Sequence, residues 1–320
     1  MYDIVKKNQE ELKKLKVKNK NLKVLSFSML ITLEQCLRYY KFNYIDKIGV
    51  EGDNVYTYLG SLAHLLIEKL YRGEITNKEA IQKWLVKLNT MPYFFVDYSK
   101  AEKYEKQLEM KEKNRKYKNN YNLNMVRYFK NFRKLKYKDF LQEQRVFIKL
   151  EDIFNNPTFK DYVFNGIVDF IGLNDDGSID VLDYKTSTMY KGEKLELHSF
   201  QLILYAICLE NLGFKMNRIG WNFLKYARKI KRFKNGNTRM TNVERRNLTY
   251  KDEFEDCIVE IEYNSLNKRK ALKFIFDNVK KMYMVEKNKH IDTNDFPCNY
   301  NEFFCKNLCG MYTVCSVSKG

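Results

Sequence analysis

Apolar residues run at alternating or adjacent positions through one stretch near the middle of the chain, VFNGIVDFIGLNDDGSIDVLDYKTST, from Val163 to Thr188. The β-branched and aromatic content of VFNGIVDFIGL and SIDVLDYKTS predicts two strands. Asp175-Asp176-Gly177 between them suits a three-residue hairpin loop with glycine at the left-handed position. Asn174 then faces Ser178, and counting back sets Asp169 opposite Asp183. Alternation places Lys185 on the same sheet face as Asp183.

Helical spacing dominates on either side. Residues 1–23 are lysine-rich with scattered Leu, Val and Ile, which predicts a marginal surface helix without chemistry. SFSMLITLEQCLRYYKFNYIDKIG reads as a helix capped by Ser26 or Ser28 and carrying Cys36 near its end. In TYLGSLAHLLIEKLYRGE, Leu59, Leu62, Ala63, Leu66 and Leu70 line one face, and His64 and Glu68 fall opposite them. From Lys78 to Lys138 the pattern is again helical, after which FLQEQRVFIKL alternates as a strand. LELHSFQLILYAICLENLG is an apolar helix with His198, Gln201 and Tyr205 on one side. RIGWNFLKYA and CIVEIEY read as strands, and a helix from about Ser265 to Lys289 packs through residues such as Leu272, Phe276 and Met282. No repeat or flexible linker interrupts the 320 residues, so one domain is expected, with a helical insertion at about 64–138 and a cysteine-rich segment at 296–315.

A formal net charge of +18 points to a polyanionic partner, since Lys and Arg neutralise phosphates and release counterions. The abundance of Lys, Asn and Tyr with only 3 prolines is equally what AT-rich coding produces, so charge alone does not decide. Cations interleaved with Tyr and Phe over 101–138 suit single-stranded nucleic acid or a solvated helix face. RKIKRFKNGNTRMTNVERR carries eight Lys or Arg and one Glu; it reads as an exposed loop or hairpin, and arginine enrichment favours phosphate contact. No apolar run approaches a membrane span and the N-terminus does not resemble a signal peptide, so a cytoplasmic protein with no membrane partner is expected.

The hairpin residues carry the chemistry. Two carboxylates and a lysine sharing a patch on an exposed sheet would be unremarkable, but Val, Ile, Leu and Phe flank Asp169, Asp183 and Lys185 on both strands. Buried carboxylates repel unless a cation lies between them. A divalent ion is the simplest remedy, and hard oxygen ligands select Mg²⁺ or Mn²⁺. Of seven cysteines, Cys298, Cys305, Cys309 and Cys315 crowd the last 23 residues. An odd count without a secretion signal argues against disulfides. Cys305, Cys309 and Cys315 are close enough to share a metal centre with a fourth thiolate from Cys36, which suits a 4Fe-4S cluster or a structural zinc; Cys298 is a further candidate.

At GIVDFI and DYKT the chain resembles the PD-(D/E)XK nucleases, and specifically their RecB-like exonuclease branch with C-terminal iron–sulfur cysteines. The resemblance implies a restriction-endonuclease-like mixed α/β sheet flanked by helices, and metal-dependent hydrolysis of DNA, single-stranded or at duplex ends. It implies metal ligation by His64 (the G-x-x-x-H helix), Asp169, Asp183 and the Tyr184 carbonyl, with Lys185 assisting hydrolysis. Gln201 and Tyr205 match the Q-x-x-x-Y motif that positions DNA. Glu143 falls where related nucleases often carry an acidic residue. Cys36, before Arg38-Tyr39-Tyr40, matches the family's N-terminal cluster ligand. The tail departs from the family's C-x2-C-x5-C: Cys305 and Cys309 are separated by three residues, although the second gap matches. Recombination, repair or CRISPR spacer acquisition, beside a helicase, recombinase or CRISPR integrase complex, would be the setting. The alternative is an inactive nucleic-acid-binding module with a structural metal.

Overall fold

The protein is described by a computed structural model covering residues 1–48, 55–91, 104–307, 309, 311 and 314–316. The insertion expected at 64–138 and the tail expected at 296–315 therefore lie partly outside the described residues. The helices are α1 (Tyr2–Lys18), α2 (Phe27–Gln35), α3 (Leu37–Tyr40), α4 (Val55–Arg72), α5 (Asn77–Asn89), α6 (Tyr104–Lys130), α7 (Leu150–Phe154), α8 (Gly192–Asn211), α9 (Ser265–Lys287) and α10 (Glu302–Asn307). The strands are β1 (Lys23–Leu25), β2 (Asp139–Lys149), β3 (Tyr162–Leu173), β4 (Ile179–Lys185), β5 (Met216–Arg232), β6 (Thr238–Glu244) and β7 (Glu253–Ile261). All seven join one mixed sheet flanked by helices, the architecture of restriction endonucleases. None of the described helices is long and apolar enough to cross a membrane.

The central hairpin forms as its sequence demands. Gly177 takes φ +80°, Asn174 N–H donates to Ser178 O at 2.8 Å, and Phe170 pairs with Leu182. The same register carried one step further would set Asp169 opposite Asp183, but ladder pairing stops at Phe170. The reason is the way β3 divides its edges. β2 pairs along one edge from Val163 to Leu173. The other edge is held by β1 at Tyr162–Phe164 and by β4 at Phe170–Leu173. Between Phe164 and Phe170 no strand among the described residues pairs with that edge, and the sheet opens into a gap.

Each face of the sheet has its own core. On one, α2, α8 and α9 pack through Leu30, Leu202, Tyr205 and Ile275 onto Phe164, Val168 and Val181. On the other, α4, α5 and α6 pack through Leu66, Trp84 and Phe129 onto Phe170, Leu182 and Tyr184. Of the aromatics that suggested a base-stacking surface, Tyr121, Tyr128 and Phe129 are buried there and Phe132 and Tyr137 pack against them half-buried, while Tyr117 is exposed.

Three expectations change. The N-terminal helix is not marginal: Val5 and Leu12 are buried, and Asn8 both donates to and accepts from the Phe147 backbone, at 3.1 and 3.0 Å. It thereby covers the outer edge of β2, a place where bare strands invite unwanted pairing. The second helix is capped by Ser26, whose Oγ accepts from Met29 N–H, but it ends at Gln35, and Cys36 sits in an extended break before α3. The basic segment 228–246 is the β5–β6 hairpin, and its arginines are largely engaged by acids of β7 and the adjoining strand. Arg228 pairs with Glu255, Arg232 with Glu253 and Arg245 with Asp256. Those guanidiniums already hold carboxylates, so fewer of their donors face solvent than the sequence suggests.

The hairpin is locked to β5 by one buried carboxylate. Asp180 accepts from Asn217 at 2.8 Å, Asn174 at 3.0 Å, Tyr137 at 2.7 Å and Arg218 at 2.5 Å. Burial raises its pKa, but these four donors outweigh burial and hold it below the ordinary 3.8. Asp180→Ala strands an arginine and three dipoles, and should cost about 2–4 kcal/mol in urea unfolding at neutral pH. Because the folded pKa is depressed, the difference between wild type and variant should shrink as pH falls below 3.8 towards the folded value. A constant difference down to acid unfolding would contradict the assignment.

Candidate active site

The gap beside β3 is where the chemistry-bearing residues meet. Side-chain alternation slips by one residue there: Phe164, Val168 and Ile171 face the first core while Phe170 faces the second. β2 slips at the same level, with Val146 and Ile148 on the first face and Phe140 on the second. The register between the two strands is unchanged across the slip. Glu143, level with Asp169, absorbs it with φ +51°, a left-handed conformation that costs a non-glycine residue on the order of 1–3 kcal/mol. The slip leaves Glu143 and Asp169 beside the helix that carries His64. Nδ1 of His64 lies 3.6 Å from Glu143 Oε1 and 3.5 Å from Asp169 Oδ1. Its Nε2 makes a 3.0 Å hydrogen bond with Tyr184 O, and donation there leaves Nδ1 directed at the carboxylates. Glu68, one turn further along α4, instead pairs with Arg72 at 2.5 Å and stays out of the site.

Asp169 compensates for the parted strands by accepting from Tyr184 N–H at 2.7 Å. Asp183 is 2% exposed, and Lys185 Nζ lies 2.6 Å from its Oδ2, an ion contact at an angle too oblique for a directed hydrogen bond. Lys185 also donates to Gln201 Oε1 at 3.2 Å, and Gln201 Nε2 donates to Tyr205 OH at 3.0 Å. Four predicted residues thus form one line, Asp183, Lys185, Gln201 and Tyr205. His198 does not join it; its ring stacks on Tyr190 at 4.3 Å, and burial, with Lys194 and Lys185 adding, lowers its pKa to about 4.

Electrostatics show a site crowded with negative charge. Burial pushes Asp183 up to about 6, opposed by Lys185 and reinforced by Asp169. Burial also works to raise Asp169, but His64, Lys185 and the Tyr184 N–H hold it below the ordinary carboxylate range. Burial favours neutral imidazole, yet Asp169, Glu143 and Asp183 raise His64 well above its usual value. His64, Glu143 and Asp169 offer ligand atoms within 4.8 Å of one another, the one such group among the described residues. Two carboxylates and an imidazole suit Mg²⁺ or Mn²⁺. Asp183 stands outside that trio, whereas Glu143, weakly signalled in the sequence, stands inside it.

Gly166 escaped sequence reasoning, and Glu143 was signalled there only by the resemblance. The slip at Glu143 has no local signature. Gly166 has one, since glycine inside a strand often marks close backbone approach: a Cβ there would lie 2.1 Å from Tyr205 Cε1.

The cysteines converge at the other end of the molecule's sequence logic, joining its two termini. Cys36, Cys298, Cys305, Cys309 and Cys315 line a cavity of about 20 Å³, and none of the five forms a disulfide. Arg38 donates to Cys315 Sγ at 3.5 Å and also holds the Phe296 carbonyl. Burial raises Cys309 to about 11, and burial with neighbouring Cys36 raises Cys298 to about 12. Cys298 therefore belongs to the cavity with the four cysteines expected there, while Cys208 and Cys257 lie in the main core.

The model of the PD-(D/E)XK nuclease superfamily matches residues 24–316. The chain belongs to the PD-(D/E)XK nuclease superfamily. No curated protein matches it. The crystal structure of SSO0001 aligns with 99% of this chain and 95% of that one, at 15% identity and a TM-score of 0.33, a likeness too distant to carry an argument. The superfamily match spans both the gap in the sheet and the cysteine cavity, and it covers α4, β2 and β3, which carry His64, Glu143 and Asp169.

Gly166→Ala should displace the Tyr205 ring and cost about 1–3 kcal/mol by overpacking, read as a lower urea midpoint. In a Tyr205→Ala background, itself destabilised by loss of the buried ring, Gly166→Ala should cost much less, because the ring that clashes is gone. A Gly166→Ala cost that is the same with and without Tyr205 would refute the contact.

Proposed function

We propose that this chain is a Mg²⁺- or Mn²⁺-dependent deoxyribonuclease of the RecB-like branch, acting as an exonuclease. The observation that carries the reading is the meeting of His64, Glu143 and Asp169 beside the Asp183–Lys185 pair in a gap open along β3. His64, Asp169 and Glu143 would hold the metal, with Asp183 and the second lone pair of the Tyr184 carbonyl completing its shell. Bound there, a divalent ion polarises the scissile phosphate and lowers the pKa of a water. The protein's own residues do the rest. Lys185, kept cationic by Asp183, orients the attacking water and offsets charge that grows on the phosphate. Gln201 fixes the Lys185 ammonium at one end and Tyr205 at the other, which sets the lysine's direction and borders the strand's path. The RecB-like assignment rests on the shared order of His64, Asp169, Asp183-Tyr184-Lys185, Gln201, Tyr205 and the cysteine tail; recombination, repair or CRISPR spacer acquisition is the setting it supports.

Lys185→Ala should lower cleavage of end-labelled DNA by about 10²–10³-fold. Folding should survive, because Asp183, already shifted up to about 6, takes a proton when its cation is removed. Undiminished turnover in a folded variant would exclude this role for Lys185.

For the cysteine cavity we propose a 4Fe-4S cluster held by Cys36, Cys305, Cys309 and Cys315, with Cys298 beside them. Five sulfurs around a cavity joining Cys36 to the C-terminal segment support it. Anaerobically purified protein should be brown, with visible absorbance, iron and acid-labile sulfide, all lost in Cys36→Ser. Colourless protein with stoichiometric zinc would assign the cavity to zinc instead.

A further inference from the structure

We propose that the gap along β3 contains a second anion site, which takes a phosphate of the substrate strand next to the one being cut. This deepens the nuclease reading above and rests on it. The site is a cleft of about 340 Å³, within the range of small-ligand clefts, about 300–1,000 Å³. It is bordered on one side by Gln201 and Tyr205, and therefore adjoins the line that leads from Asp183 and Lys185. Its floor is the stretch Asn165–Ile167, on the part of the β3 edge that neither β1 nor β4 covers.

The polar lining is built for an anion. Among the described residues, no Asp or Glu lines the cleft. Arg145 Nη1 donates to Asn165 Oδ1 at 3.0 Å, which fixes the amide so that its Nδ2 is the outward donor. Asn165 is only 7% exposed, and among the described residues nothing accepts from that Nδ2. That Nδ2 is not among the atoms sealed from solvent, so it is open to the cleft and can donate to a ligand there. Arg145 has no carboxylate partner among the described residues, and a guanidinium carries five N–H donors, so it keeps donors for a phosphate after binding Asn165. Across the cleft, Ser26 caps the nine-residue helix α2, and Ser28 shares a 2.9 Å hydrogen bond with it. The helix end thus adds partial positive charge facing the same space. Ile167, 41% exposed within the strand, offers an apolar contact to the attached sugar or base.

The spacing fits a neighbouring nucleotide. Arg145 lies two residues along β2 from Glu143, about 7 Å of strand. Asn165 lies four residues along β3 from Asp169, about 13 Å. Both separations keep the site within a few nucleotides of the metal-ligating trio along one strand.

The test measures binding of a fluorescein-labelled single-stranded oligonucleotide to the full chain in EDTA, where no metal supports cleavage. Arg145→Gln should weaken binding about tenfold at low salt and reduce the slope of log Kd against log salt by about 0.7. Arg145→Lys should restore most of that slope. Oligonucleotides carrying one neutral methylphosphonate linkage, walked along the strand, should show one linkage that costs the wild type affinity and costs Arg145→Gln nothing. Identical slopes and linkage profiles in wild type and Arg145→Gln would overturn the site, as would failure of the wild type to bind the oligonucleotide. Digestion in Mg²⁺ and Mn²⁺ is scored separately: an inactive wild type rejects the nuclease reading, while the binding data still decide whether Arg145 holds a phosphate.

Discussion

Everything distinctive about this molecule depends on the incomplete pairing of one strand. β3 is saturated by β2 along one edge, but its other edge is shared by two short partners that leave its middle bare. A sheet interior normally satisfies its backbone and excludes polar side chains. Here the missing partner creates a recess walled by two hydrophobic cores, and polar groups can enter it without crossing either. Asp169 fills part of the opening by binding the Tyr184 N–H that a continuing ladder would have bonded to backbone.

The recess concentrates charge in a way that favours cations. Three carboxylates, Glu143, Asp169 and Asp183, face one ammonium and one imidazole. The raised pKa of Asp183 and the raised basicity of His64 have a single cause, excess negative charge at low dielectric. Removing that excess with a divalent ion, and placing a phosphate beside it, satisfies the same groups that are in conflict without it. The slip at Glu143 stores strain to bring its carboxylate there, as sites with functional chemistry often do. Further along the same edge the sign reverses: Arg145, Asn165 and the cap of α2 present donors and no acids. Anionic pole and cationic pole adjoin along one strand.

Cysteines at the chain ends solve a different problem. Cys36 sits in the break between α2 and α3, and the remaining four come from the last turns of the chain. Arg38, buried beside them, ties the N-terminal segment to Asn294, Phe296 and Cys315. A group bound by these sulfurs would close a loop of most of the chain's length, which restricts the unfolded state far more than the folded one.

Local rules were enough for the hairpin and its chemistry. The three-residue loop, the register towards Asp169 and Asp183, and the shared face of Asp183 and Lys185 all follow from a period of two and a glycine with positive φ. A period of 3.6 likewise set Gln201 one turn from Tyr205 and separated His64 from the leucine stripe of its helix. Each of these depends on neighbours within one element or one turn. What needed the tertiary structure depends on partners distant in sequence. The three-residue β1 exists only because β3 offers it an edge, and Asn8 matters only because Phe147 lies across from it. Arginines of the β5–β6 hairpin were drawn from expected phosphate contact into ion pairs by acids on β7. Glu143 became a ligand candidate through a slip shared by two strands, and Gly166 became indispensable through a tyrosine 39 positions later. The sequence determined which groups carry the chemistry, because residue type and periodicity are local; only packing decided which of them meet, because a gap in a sheet is made by strands that are not there.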